Sequence, residues 1–266
     1  MTTNVQKILV ALAVGAMFTA SGAAMASMAA ADTVIYQDNF SGSRSTSLNG
    51  AAPTIDNGPS ATWTAASAWA DSGYINYSSG GREAAYLSFT PAAGQVYALS
   101  AGLEGLGMNT SDPNPGDYWM GLGYLTSQST TGAWDNGGAQ PWVMTSYEGN
   151  FASVQGPGMA NQQNAYIQTT SGANTMSLVL NTGSPAWSYD WYVTNSLLND
   201  QLVESGTFST NPAITAVGFE MDGQGIDQVS NFSLTDVAVP EPATLGLFAL
   251  GGLGLLLISR KRKARV

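Results

Sequence analysis

The sequence predicts an all-β fold, an antiparallel sandwich of two sheets, on three observations. Short runs of alternating or β-rich residues recur along the chain, clusters of Gly, Asn, Ser, Asp and Pro punctuate them, and hardly any stretch in the body of the protein has helical character. In chain order the runs are Thr33–Gln37, Ala84–Thr90, Gln95–Leu103, Tyr118–Leu125, Trp142–Tyr147, Ala165–Thr169, Met176–Asn181, Tyr189–Thr194, Ile214–Met221 and Val229–Thr235. Breakers lie between them, including Ser78-Ser79-Gly80-Gly81, Asn109–Gly116 and Thr130–Gly138, clusters of the residue types that favour turns. Ser196-Leu197-Leu198 is long enough only for a helical turn. The first and last strands are expected to lie near one another.

The two ends of the chain have a different character. Lys7 is the only charge before Asp32, an apolar region follows from Ile8 to Ala20, and Ala24-Met25-Ala26 and Ala29-Ala30-Ala31 both fit a small-x-small cleavage site. This predicts a signal peptide over 1–31, cut before Ser27 or before Asp32. At the other end Ala243–Ser259 holds 17 uncharged residues, about 25 Å as a helix against a hydrocarbon core of about 30 Å. A single transmembrane helix is expected there. Arg260, Lys261, Arg262, Lys263 and Arg265 stop it and favour a cytoplasmic C-terminus, with Arg260 and Lys261 snorkelling to the interface. The predicted organisation is therefore signal peptide 1–31, sandwich domain 32–236 and C-terminal segment 237–266.

The central 205 residues contain two of the eight Lys and Arg but 17 of the 18 Asp and Glu, a formal charge of −15. Nucleic acid and anionic lipid are disfavoured as partners because their phosphates would be repelled. Neutral glycans, divalent cations or plain solubility fit the balance. Without cysteine the fold depends on its core, and all seven Trp and all eleven Tyr fall in this section.

The element Val239-Pro240-Glu241-Pro242-Ala243, followed by one apolar span and a basic tail, resembles the PEP-CTERM sorting domain of exported Gram-negative proteins. The resemblance covers Val239–Val266. It implies recognition of Val239–Ala243 by an exosortase, transient anchoring in the inner membrane, and delivery to the cell surface or an extracellular polysaccharide matrix. Signal peptidase and exosortase are the implied processing partners. Three further patterns resemble the concanavalin-like lectin and glucanase sandwiches. They are Ile35-Tyr36-Gln37-Asp38-Asn39-Phe40, the hairpin-like pair Tyr86–Thr90 with Val96–Ser100, and Val217–Glu220 with Ile226–Leu234. That resemblance implies a jelly roll.

Catalytic chemistry has few residues to draw on. With no His or Cys, and no Lys between Lys7 and Lys261, Ser-His-Asp, Cys-His and Ser-Lys systems are excluded, as is a His or Cys zinc site. Paired carboxylates remain, and Glu220 and Asp222 stand two apart on one strand, hence on one face. The glucanases of the resembled fold carry a further Glu two residues on, where this chain has Gln224, so the protein is expected not to be an enzyme. A carboxylate-dependent glycoside hydrolase or lyase is the alternative. No cofactor is required, but Asp38 and Asp227 would jointly hold a structural Ca²⁺ if the first and last strands adjoin; turn capping is the plainer role for both. For glycan binding the candidate is Trp134, which sits in the Gly- and Asn-rich stretch Thr131–Gly138 without a periodic reason to be there; Trp69 and Trp119 are weaker candidates. The sequence thus reads as an exported, non-enzymatic, adhesive sandwich with extracellular polysaccharide as its partner.

Overall fold

The computed structural model describes residues 31–59, 61–75, 82–108, 119–131, 139–146, 152–155, 174–222 and 225–238. Asp32–Val237 forms one compact unit. Among its described residues the strands are β1 (Thr33–Asp38), β2 (Ile55–Asp56), β3 (Thr64–Ala65), β4 (Arg82–Ser88), β5 (Val96–Met108), β6 (Trp119–Leu125), β7 (Ala139–Ser146), β8 (Ala152–Gln155), β9 (Asn174–Asn181), β10 (Ser188–Thr194), β11 (Gln201–Thr207), β12 (Ala216–Asp222) and β13 (Gly225–Val237). They build a seven-stranded sheet in the order β11-β10-β9-β5-β13-β1-β2 and a six-stranded sheet in the order β3-β4-β12-β6-β7-β8. The fold is the expected antiparallel sandwich.

Alternation explains how the sheets face each other. Along β9, Met176, Leu178 and Leu180 are buried while Thr175 and Asn181 are exposed, and Tyr189, Trp191 and Val193 repeat the pattern on β10. On β12 the residues Val217, Phe219 and Met221 enter the main core, and Ala216, the first residue of the strand, joins a second cluster with Tyr86, Leu125 and Trp142 on the outer face of the six-stranded sheet. Both faces of β12 and β4 are therefore covered, which is why these strands read as near-continuous apolar runs. At the centre of the main core Phe219 meets Trp69 at 4.7 Å, Trp63 at 5.2 Å, Phe40 at 5.9 Å and Phe232 at 6.1 Å between ring centroids.

Nine of the predicted runs coincide with β1, β4, β5, β6, β7, β9, β10, β12 and β13; Ala165–Thr169 lies outside the described residues, as do the signal peptide and the C-terminal helix. Three details differ from expectation. The hairpin-like pair Tyr86–Thr90 and Val96–Ser100 is no hairpin, because β4 and β5 lie in opposite sheets and the chain crosses between them. The short link makes that crossing with Phe89 turned edge-on to Tyr97 at 5.1 Å. Ser196-Leu197-Leu198 forms a bend instead of a helical turn, since the Asn195 carboxamide oxygen accepts the amides of Leu197 and Leu198 at 2.8 and 2.9 Å. Finally, β2, β3, β8 and β11 are strands that the sequence pattern did not disclose. The first and last strands do adjoin, with Thr33 paired to Asp236 and Asp38 to Phe232.

Candidate functional site

The outer face of the six-stranded sheet gathers the acidic pair and two of the tryptophans. Register places Asp222 between Arg82 and Trp119, Glu220 between Ala84 and Gly121, and Gly218 between Tyr86 and Gly123, with Trp142 opposite Gly123 on the next strand. Three glycines and an alanine thus leave the middle of the face low. A Cβ on Gly218 would overlap the Ala85 carbonyl oxygen, so only glycine fits there. Gly121 separates the rows of Trp119 and Trp142, and over it the two rings approach to 5.5 Å at an interplanar angle of 36°. The Arg82 guanidinium stands 6.0 Å above the Trp119 ring, at the limit of a cation–π contact.

Accessibility divides this face. Glu220 is 0 % exposed and Trp142 5 %, whereas Trp119 is half-buried. The segment after β6 contributes to the enclosure: Gln128 Nε2 donates to the carbonyl of Thr215, just before β12, at 3.2 Å, and at β4 the Ala84 amide donates to the Thr130 carbonyl at 2.9 Å. Glu220 is therefore a dry carboxyl, while the Trp119 ring keeps part of its surface accessible. Of the three candidate tryptophans, Trp69 is corrected to a core residue, 1 % exposed, with its indole N–H donated to the Glu83 carbonyl at 3.0 Å. Trp134 lies outside the described residues, and so do Val239–Ala243 and Arg260–Arg265 and the side chains of Asp222 and Asp227.

Asp38 is fully engaged inside the protein. Its Oδ2 accepts the Trp63 indole N–H at 2.7 Å, and its Oδ1 accepts the Phe40 amide at 2.8 Å and the Thr54 hydroxyl at 3.3 Å. The Asp38–Phe40 bond steadies a Phe40 backbone held at φ 51°, a left-handed conformation that a bulky residue adopts only when its surroundings insist. Along β13 the register partner of Asp38 is Phe232, five residues from Asp227, roughly 16 Å of strand. The turn-capping role is the one this geometry displays. Among the described residues no three His, Cys, Asp or Glu side chains group as a cation site.

At the opposite edge, Glu204 on β11 faces Trp191 on β10, and Gly206 faces Tyr189. A Cβ at Gly206 would strike the Tyr189 ring, so glycine lets that ring lie across the strand and donate its hydroxyl to Glu204 Oε1 at 3.1 Å. Burial raises the Glu204 carboxyl above its ordinary range, with the tyrosine bond pulling the other way. Glu83 is raised by burial, and Asp71 by burial and then by the charge of Asp38. A carboxyl raised in the folded state takes up protons before its unfolded counterpart, so its contribution is complete below the ordinary carboxylate range of about 4 and is lost as pH rises through the raised value. These three groups accordingly act to raise the thermal midpoint of the domain at pH 4 relative to pH 7.5, and a lower midpoint at pH 4 would contradict this account.

A cleft of about 620 Å³ opens at the end of the sandwich, lined by Ile35, Asn57, Phe89, Tyr97, Gln128 and Asp236 among others, with no cation among the described residues of its walls. Its volume suits a small ligand.

Comparison with known proteins gives a motif match at the C-terminal end and several likenesses in structure. Residues 238–263 match the PEP-CTERM protein-sorting motif, so the chain carries that motif at its C-terminal end. The structure is similar to an endo-1,3-beta-glucanase from Streptomyces sioyaensis, at 14 % identity and a TM-score of 0.49 over 79 % of this chain and 98 % of that one. It is similar to the Lotus tetragonolobus seed lectin, at 13 % identity and a TM-score of 0.43 over 71 % and 97 %. A protein of galectin-like fold from Bacillus subtilis aligns at 9 % identity and a TM-score of 0.44 over 80 % and 100 %. No curated protein matches the sequence.

Proposed function

We propose that this is an exported protein of the cell surface or extracellular polysaccharide matrix, which holds a neutral polysaccharide along the Trp119 side of the six-stranded sheet without cleaving it. In this reading residues 1–31 are removed by signal peptidase. The span within 244–258 anchors the chain transiently with Arg260–Arg265 in the cytoplasm, and an exosortase acts at Val239–Ala243. The sorting motif supports the route. The observation that carries the binding reading is the half-buried Trp119 ring resting obliquely on Trp142 above a glycine floor, a rigid apolar surface bordered by Arg82. Sugar rings present C–H faces that stack on such a surface, and an acidic domain with Arg44 and Arg82 as its cations has little to offer an anionic polymer.

Trp119→Ala is expected to lower retention on purified matrix polysaccharide about tenfold, a loss of roughly 1.4 kcal/mol. Thr90→Trp, which narrows the end cleft, is expected to leave retention unchanged. Equal retention by wild type and Trp119→Ala would remove the site from consideration, and a loss confined to Thr90→Trp would move it to the cleft. Trp134→Ala belongs in the same series, as the tryptophan within the Gly- and Asn-rich stretch Thr131–Gly138.

The alternative, a carboxylate glycosidase or lyase, is favoured by the placement of Glu220 and Asp222 at alternate positions of β12. The dry position of Glu220 leaves it no route to a substrate or water while the face is covered. Incubation with the same polysaccharide is expected to give no new reducing ends or unsaturated products; turnover that vanishes in Glu220→Gln would establish the enzyme.

A further inference from the structure

Two buried polar atoms at the β10–β11 edge have no hydrogen-bond partner, and they are chemically complementary. Trp191 is 0 % exposed and its indole Nε1–H donates to nothing; Glu204 Oε2 is enclosed and accepts nothing. The two residues are direct register partners, so their side chains rise from the same face of the sheet with β-carbons roughly 5 Å apart. That face is the inner one, since Trp191 alternates with Tyr189 and Val193 in the main core. Beside them Tyr189 donates its hydroxyl to Glu204 Oε1 and retains an oxygen lone pair of its own. A buried donor and a buried acceptor left open each cost free energy, and native proteins rarely leave both so close together.

We infer that Trp191, Glu204 and Tyr189 form an internal site for one water molecule, which accepts the Trp191 indole hydrogen and donates to Glu204 Oε2 and to the Tyr189 oxygen. The stoichiometry closes. Water has one acceptor lone pair for the indole and two hydrogens for the two oxygens, within the two to four partners that a buried water takes. A methyl-sized filler would leave the indole and the carboxyl unpaired, and an anion would meet the Glu204 charge. A cation would find the indole hydrogen turned toward it.

The site explains local features that packing alone does not. A carboxylate on an inward position of an edge strand is otherwise out of place, and Gly206 keeps the neighbouring position clear so that Tyr189 can reach it. The bound water joins β11 to the core through polar bonds. That is useful for an edge strand with few apolar side chains of its own to bury.

The test uses the whole protein with its tryptophan indoles labelled with ¹⁵N. Trp191→Phe identifies one of the seven indole resonances by its disappearance. In the wild type that resonance is expected to show a cross-peak to water with the sign of a long-lived contact, and Glu204→Leu is expected to abolish it while the remaining indoles keep their positions. Absence of the cross-peak in the wild type overturns the inference, and so does its persistence in Glu204→Leu. If Glu204→Leu fails to fold, a crystal structure of the wild type decides: ordered density within hydrogen-bond distance of both atoms supports the site, and a direct Trp191–Glu204 bond or a dry gap overturns it. In a double-mutant cycle the unfolding constants of Trp191→Phe and Glu204→Leu are expected to couple by about tenfold. Additive effects would count against a shared water.

Discussion

Replacement of Phe219 by alanine is expected to lower the free energy of unfolding by about 4 kcal/mol, the upper part of the range for a buried phenylalanine. Phe219 is 0 % exposed and touches the rings of Phe40, Trp63, Trp69 and Phe232. Of those neighbours only Phe232 lies in a strand, Phe40, Trp63 and Trp69 belonging to the irregular segments between strands, and rigid indoles cannot collapse into the space left behind. The cavity therefore stays open and its cost is added to the lost transfer energy. Domains of this kind have about 5–15 kcal/mol in total, so the variant should unfold at a much lower urea concentration. A loss below about 2 kcal/mol would mean that the five rings do not form a single packing unit.

Asp38→Ala is the second large effect, about 3 kcal/mol. The Phe40 amide and the Trp63 indole N–H lose their acceptor at once, and the indole, on a residue 1 % exposed, has no water to replace it, whereas the Thr54 hydroxyl keeps Asn39 Oδ1 at 3.0 Å. The left-handed turn at Phe40 also loses the bond that steadies it. Asp38→Asn should fall between wild type and alanine, because the carboxamide oxygen can serve one set of donors while its NH₂ confronts the other. Chelation separates this structural role from a calcium site shared with Asp227. EDTA is expected to leave the urea midpoint of the wild type unchanged. A midpoint that drops with EDTA in the wild type, and is insensitive to it in Asp38→Ala, would make Asp38 a cation ligand.

Much of this architecture was written in local patterns. On β9 and β10 alternate residues are apolar, so both the strands and their inward faces could be read from composition alone. β11 escaped because Gln201–Thr207 has only Leu202 and Val203 as apolar residues and contains Gly206; it is a strand because β10 pairs with it, not because its own pattern requires one. The link between β4 and β5 misled for a related reason. Its Pro91 and Gly94 suit a hairpin and a crossing equally, and only the shared core decides that Leu87 and Leu99 approach it from opposite sheets. The same limit applies to the site. The spacing of Glu220 and Asp222 was visible, whereas the burial of Glu220 depends on segments far away in sequence. Likewise Trp119 and Trp142 become neighbours through the β6–β7 register, for which neither residue carries a signal.

The pairing of β1 with β13 has a mechanical consequence. Asp236 lies beside Thr33, and the strand that leads out to the sorting segment is bonded on both sides, to β1 and, over most of its thirteen residues, to β5. A pull on the C-terminal end of the domain, with the other strands held, is transmitted along β13. The bonds flanking that strand run across the direction of pull and are strained together, as in a lap joint, instead of parting one after another. The sandwich is thus arranged to resist being drawn out from the end that leads to the sorting motif.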